Sequence, residues 1–317
     1  MINRLLINQL DKYMKAFLLS LLVVLSLSAQ AIEKTNFKAS DFLSTMSKGD
    51  KAAILMVHFG TTHDGTRAKT IDAINEKVKA CFPDFQLREA YTSRIVRRRL
   101  IARGIHKDTP IDALLKLRSE GFTHIIVQST TVIEGIEMES LRRDVATVLP
   151  FFKEVRIGTP LLYTSADAQN VADILARRYQ QKGDVVLVGH GTYTPATASY
   201  AMMDYIFKMK GFANFHVGTI EGYPAFGEVL TLLKARKPKQ VTLIPFMLVA
   251  GEHANNDISD DWKKDLEKEG FRVQTVIEGL GEIPDIQEIY IDHIKFILKN
   301  EMLDIVEKKH RYAQEND

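Results

Sequence analysis

Residues 185–192 read Val185-Val186-Leu187-Val188-Gly189-His190-Gly191-Thr192. A run of β-branched and apolar residues that breaks into a glycine-rich turn is the pattern of a strand buried on both faces, as in a parallel sheet. The same shape occurs earlier, where Ala53–Phe59 runs into Gly60-Thr61. Working outward from these two stretches, further strands are expected at Gln86–Tyr91, His124–Gln128 and Val155–Gly158, and again at Phe215–Thr219, Val241–Pro245 and Arg272–Val276. Amphipathic stretches with helical spacing separate them, among them Ala68–Ala80, Pro110–Arg118, Glu139–Val148, Ala166–Gln180, Ala196–Met209, Ala225–Ala235 and Asp260–Glu269. Alternating strands and helices imply an α/β fold, and the two series imply two similar doubly wound parallel-sheet domains. Late segments match as well: Gly135-Ile136-Glu137 in the first series resembles Gly251-Glu252-His253 in the second, as an internal duplication would leave. The expected boundaries are residues 49–160 for the first domain and 161–308 for the second, with the last helix, Asp285–Lys299, packing back across the first and a frayed polar tail beyond Lys308.

Bulk composition narrows the function. The 317 residues are 45% hydrophobic and 26% charged, enough for two domains with a shared core. A net charge of +2 supplies no strong field, which argues against nucleic acid as a partner. The one basic run, Arg94 to Arg103 (RIVRRRLIAR), reads first as a solvated helix face, the alternative being a clamp for substrate carboxylates. Cys81 is the single cysteine, so a metal would have to be held by histidine and carboxylate.

At the N-terminus, Lys12 and Lys15 precede the apolar run Ala16 to Leu27, followed by Ser28-Ala29-Gln30-Ala31. A charged segment, a short apolar core and a small-x-small end predict a secretory signal over residues 1–31, cleaved after Ala31, and hence a periplasmic or otherwise exported protein. An uncleaved N-terminal anchor is the competing reading.

In open parallel sheets, ligands bind outside the carboxyl ends of the strands. His190 stands at such an end between two glycines, Glu221 follows Phe215–Thr219, and His253 closes an apolar stretch that ends in Glu252-His253-Ala254-Asn255-Asn256-Asp257. Glu221 alone could equally complement the start of the next helix. Together the three residues place two imidazoles and a carboxylate on one rim, a competent set for a divalent transition metal. His58 also ends a first strand and could face a cleft; His63, His106, His124, His216, His293 and His310 read as surface or structural.

From Lys51 to Lys299 the chain resembles the anaerobic cobalt chelatases that insert Co2+ into sirohydrochlorin, and through them the class II chelatases. The resemblance rests on ordered blocks: His58-Phe59-Gly60-Thr61-Thr62, Ala90-Tyr91-Thr92-Ser93, Asp108-Thr109-Pro110, Gly135-Ile136-Glu137, Val188-Gly189-His190-Gly191, Glu221-Gly222-Tyr223-Pro224, Met247 to Asp257, and Gly279-Leu280-Gly281-Glu282. It implies a tetrapyrrole cleft between the two domains, His190, Glu221 and His253 as ligands of the metal, and Glu137 on the opposite wall to orient the macrocycle or relay a proton. His190 and His253 would also accept pyrrole protons as the ion leaves them. Co2+ is the metal the resemblance favours, with Fe2+ and Ni2+ also accepted by such ligands. One departure is visible: Thr131 stands where members often carry a histidine. Export is another, and it leaves a second reading open, a periplasmic or surface protein that scavenges or demetallates haem. Self-association and a tetrapyrrole or metal transport system are further partners the sequence leaves open. An exported metal-binding protein without a tetrapyrrole would leave the blocks of the first domain unexplained.

Overall fold

The computed structural model describes residues 36–251, 258 and 261–314. The chain divides into two compact units, one drawn from Met1–Thr45 and Phe296–Asp317, the other spanning Met46–Lys295. In the smaller unit, strand β1 (Phe37–Ala39) pairs antiparallel with β10 (Asn300–Met302), and the Phe37 ring meets Phe296 edge-on at 4.9 Å. No strand is evident from the sequence at either place. The polar tail is not frayed from Lys308: it continues the helix Ile305–Gln314, whose first amides, at Val306 and Glu307, donate to the Asp304 carboxylate at 2.7 and 3.0 Å. A side-chain acceptor at the start satisfies donors that a helix terminus leaves open.

The larger unit holds two four-stranded parallel sheets of the same topology. Strands β2 (Ala52–His58), β3 (Gln86–Tyr91), β4 (His124–Ser129) and β5 (Glu154–Ile157) lie in the order β3-β2-β4-β5. Strands β6 (Asp184–Gly191), β7 (Phe215–Glu221), β8 (Val241–Pro245) and β9 (Val273–Thr275) repeat it as β7-β6-β8-β9. The two similar parallel-sheet halves expected from the sequence are therefore present. In each, the first strand lies centrally with its successors on opposite sides, which makes the carboxyl end of β2, and of β6, a topological switch point.

The connecting helices are α1 (Ala73–Cys81), α2 (Arg94–Ile101), α3 (Pro110–Ser119), α4 (Ile136–Val148), α5 (Ser165–Tyr179), α6 (Ala198–Met209), α7 (Phe226–Arg236), α8 (Lys263–Lys268) and α9 (Pro284–Lys299). Alternate residues of β2 (Ala53, Leu55, Val57) pack with Leu114 and Leu117 of α3 and Leu141 and Val145 of α4. In the second half, Val186 and Val188 of β6 pack with Val229 and Leu233 of α7 and with Trp262 and Leu266. Each such side chain contributes roughly 1.5–3 kcal/mol by leaving water. Helix α9 returns onto the first half as expected: Tyr290 Oη donates to Thr130 O at 3.0 Å, and His293 meets Thr159 O at 3.2 Å.

Four boundaries differ from expectation. Strand β6 runs through His190 to Gly191, and β7 through Glu221, instead of stopping short of them, because Gly191 and Glu221 still pair across the ladder. Helix α4 begins at Ile136, so Glu137 lies in its first turn. The helix expected at Ala68–Ala80 starts earlier, at Asp64, and passes through a wider π turn over Ala68–Asp72 before α1.

Candidate functional site

His190 is built into place by its two glycines. A Cβ on Gly189 would stand 2.9 Å from Cδ1 of the Tyr200 ring, and a Cβ on Gly191 would stand 2.6 Å from the carbonyl carbon of Glu221, closer still to its oxygen. Gly191 also has φ +83°, a conformation that glycine adopts without strain. The glycines thus let a buried aromatic ring come up beneath the rim on one side and the neighbouring strand close in on the other. Tyr200 is almost wholly buried, and burial pushes its phenol up to about 12, with a hydrogen bond from the Gly191 backbone acting the other way. His190 itself remains half-buried, Nδ1 lying 3.3 Å from Gly191 O.

Glu221 ends the adjacent strand opposite Gly191, and its side chain is also half-buried. The turn after it is fixed by Thr197, whose hydroxyl donates to Tyr223 O at 2.9 Å and accepts from Tyr223 N–H at 2.9 Å. Gly222, with φ +103°, would place a Cβ 2.7 Å from the same hydroxyl oxygen. The Tyr223–Pro224 peptide is cis.

The third strand end belongs to β8 on the other side of β6. Beyond Pro245 the chain keeps alongside β6, Phe246 N–H donating to Val188 O at 2.7 Å. It then turns toward the first half, where Val249 packs against the cluster of Ile71, Tyr91 and Leu100. A Cβ on Gly251 would lie 3.7 Å from Thr61 Oγ1, just past β2, so the carboxyl-end loops of the two sheets meet here. His253, two residues further on, lies outside the described residues, as does the N-terminal segment 1–31. Among the described residues no group of three or more His, Cys, Asp or Glu is placed to hold a metal ion. His190 and Glu221 are the members of the expected ligand set that are described, and they lie at the ends of adjacent strands, Gly191 being the residue paired with Glu221.

On the first half, Glu137 is half-buried at the start of α4, which follows β4 and so rises from the corresponding edge. His58 does not face a cleft. It is fully buried, Nδ1 lying 2.9 Å from Thr130 Oγ1 and Nε2 3.1 Å from Asn75 Oδ1, while Asn75 Nδ2 donates to Glu89 at 3.0 Å. Burial holds its imidazole down at about 4, the charge of Glu89 working against that shift. His58 is therefore neutral, and since the amide of Asn75 donates to Glu89, its Oδ1 receives the Nε2 proton. His216 is buried beside Asp184 at 3.1 Å and His293 reaches Asp167 at 3.3 Å, while His63, His106 and His310 are exposed.

Apolar side chains at the rims went unread in the sequence. Phe59 follows β2, Ile95 follows β3, Ile136 follows β4, Tyr193 follows β6 and Tyr223 follows β7, and all are exposed, Tyr193 to 82% and Ile136 to 58%. Large apolar side chains left in water at ligand-bearing strand ends suit a broad apolar ligand. The available signal was their offset of a few residues beyond each strand.

Residues 52–299 match the family model described as cobalt chelatase (CbiK). A sirohydrochlorin cobaltochelatase of Salmonella typhimurium is 35% identical over 252 residues, covering 77% of this chain and 95% of that protein. The sirohydrochlorin cobaltochelatase CbiKC of Nitratidesulfovibrio vulgaris is 33% identical over 261 residues, covering 77% and 89%. Among solved structures, SirB from Bacillus subtilis with Fe3+ superposes with a TM-score of 0.57 at 16% identity, covering 78% of this chain and 96% of that one, a likeness of fold.

Proposed function

We propose, from the premise that the chain belongs to the CbiK cobalt chelatase family, that it inserts Co2+ into sirohydrochlorin, releasing two protons as two pyrrole N–H bonds give way to bonds with the metal. The observation that carries the proposal is the placement of His190 and Glu221 at the ends of adjacent strands, where Gly191 pairs with Glu221, at the switch point of the second sheet, with exposed apolar side chains on the rims of both sheets. Co2+ is substrate here. A half-buried imidazole and carboxylate, joined by His253, would strip part of the ion's water and leave positions open for pyrrole nitrogens. As pyrrole nitrogens take over the ion, each histidine it leaves is neutral and would accept the proton that a pyrrole N–H gives up in forming its bond to the metal. Phe59, Ile95, Ile136, Tyr193 and Tyr223 would bind the macrocycle by its apolar face, and Glu137 would meet it from the first half.

Export is part of the proposed role. Lys12, Lys15, the apolar run Ala16–Leu27 and the Ala29-Gln30-Ala31 end support removal of residues 1–31, so that the mature chain begins at Ile32. Mass spectrometry of the protein from cells carrying the full gene tests it, and intact Met1 in the soluble cytoplasm would refute it.

The activity is tested by absorbance. Purified protein with sirohydrochlorin should convert it to the metallated form when Co2+ is added, faster than Co2+ alone. Absence of insertion at any pH, together with tight binding of haem, would replace the chelatase reading with a haem-binding one.

A further inference from the structure

The basic run on α2 is not uniform in the structure. Arg97 Nε donates to Lys107 O at 2.9 Å, and its guanidinium lies 3.8 Å from Asp112. Arg103 donates to Thr62 O at 2.5 Å and pairs with Asp64, and Arg99 is engaged as well. Arg94 and Arg98 are exposed and make no hydrogen bond or ion pair within 4.0 Å among the described residues. They stand four residues apart, on one face and about 6 Å from each other along the helix axis.

Helix physics disfavours this arrangement. Arg94 is the first residue after the Ser93 cap, where the helix end is partially positive, and the first turn carries no acidic residue to offset it. Like charges at this spacing also repel. An anion bound across the pair would reverse both effects.

Position ties the pair to the proposed site. Ser93 caps α2 immediately past β3, on the edge where Phe59, Ile95 and Ile136 are exposed. Asp144 lies two turns beyond Glu137 on the same stripe of α4; burial pushes its carboxyl up, and the charge of Arg94 draws it back, so Arg94 lies within electrostatic reach of the helix that carries Glu137. A guanidinium matches a carboxylate with two parallel hydrogen bonds. Sirohydrochlorin carries acetate and propionate groups all round its periphery, whereas haem carries only a pair of propionates.

We propose that Arg94 and Arg98 bind the acetate and propionate that stand side by side on one ring of the tetrapyrrole, a pair that haem lacks because its two propionates stand on separate rings, and so make the first half selective for a polycarboxylate macrocycle. This rests on the chelatase reading above. The test compares wild type, Arg94→Gln/Arg98→Gln and Arg94→Lys/Arg98→Lys in the full chain, measuring sirohydrochlorin KM and kcat at low and high salt, Co2+ affinity by calorimetry, and affinity for a dicarboxylate porphyrin. The Gln pair should raise KM for sirohydrochlorin on the order of 10- to 100-fold, leave kcat and Co2+ affinity within about twofold, flatten the salt dependence of KM, and leave dicarboxylate binding unchanged. The Lys pair should recover only part of the loss. Both arginines are exposed, so the variants should fold, and circular dichroism of each checks it. If wild type binds sirohydrochlorin and the Gln pair binds it equally well with the same salt dependence, the carboxylate role is overturned. If wild type itself does not bind sirohydrochlorin, the chelatase reading fails first and this inference with it.

Discussion

Gly191→Ala tests whether close approach of β6 and β7 is what assembles the proposed metal-binding pair, His190 and Glu221. Two costs can be separated. The first is the backbone: an alanine at φ +83° sits where L residues lose about 1–2 kcal/mol. Gly49 isolates that cost, having φ +95° and nothing within 4 Å of a built Cβ. The second is collision, since the new methyl would lie 2.6 Å from the Glu221 carbonyl carbon and 2.8 Å from Thr219 Cβ. Ordinary contact is about 3.4 Å or more, and both neighbours are anchored in the β7 ladder, so the strands must part, adding about 1–3 kcal/mol. The total of about 2–5 kcal/mol should lower Tm by roughly 5–15 °C, against roughly 2–6 °C for Gly49→Ala. Separation by even a fraction of an ångström draws Glu221 from His190, so Co2+ affinity should fall on the order of 10- to 100-fold. Gly60→Ala is the complementary control, its Cβ falling 2.8 Å from Cε2 of Tyr91 in the first half: it should lower Tm and leave Co2+ binding intact. Thermal melts and calorimetry with Co2+ on the three variants decide the matter. If Gly191→Ala melts with Gly49→Ala and binds Co2+ like wild type, the strand approach is not what builds the site.

His190→Ala and Glu221→Gln should each weaken Co2+ binding at least tenfold by calorimetry, while Glu137→Gln should leave it nearly intact and slow insertion; equal Co2+ affinity in all of them would place the metal elsewhere. Tyr193→Ala with Tyr223→Ala should raise the sirohydrochlorin KM several-fold without changing Co2+ affinity, because these exposed rings touch only the macrocycle in the proposed role; an unchanged KM would remove them from it. Acid should destabilise the fold through its buried imidazoles. Burial holds His58 down at about 4, and burial with the nearby Lys208 charge lowers His216 despite Asp184, so the unfolded chain takes up protons first as pH falls below about 6.5. Their stabilisation is therefore complete above that value and declines toward pH 4, by at most about 1.4 kcal/mol per pH unit for each group. Urea midpoints at pH 7 and pH 5 measure it; a pH-independent midpoint, or an undiminished decline in His58→Gln, would refute it.

Much of the fold was written in local pattern. Runs such as Ala53–Phe59 and Val185–Val188 are apolar on both faces because parallel strands are covered on both sides, and the Gly-His-Gly and Phe-Gly-Thr stretches mark where each series turns at its rim. That pattern, with the ordered blocks, also named His190, Glu221 and Glu137. It could not show that β6 and β7 continue through His190 and Glu221, because a ladder persists or stops according to what the partner strand presents, and the partner lies some thirty residues away. Nor could it show that His58 is fully buried while His190 is only half-buried: both end a first strand, and the packing of Asn75, Thr130 and Tyr91 around His58 decides that its imidazole is not reachable. The division of the arginines on α2 is tertiary in the same sense. Five look alike in the run Arg94–Arg103, and carbonyls and carboxylates come within hydrogen-bonding or ion-pairing distance of Arg97 and Arg103 but not of Arg94 and Arg98. Sequence thus determined which groups arrive at the rim, through periodicity and glycine placement, and three-dimensional packing determined which of them remain open to a ligand, since exposure depends on neighbours that are distant along the chain.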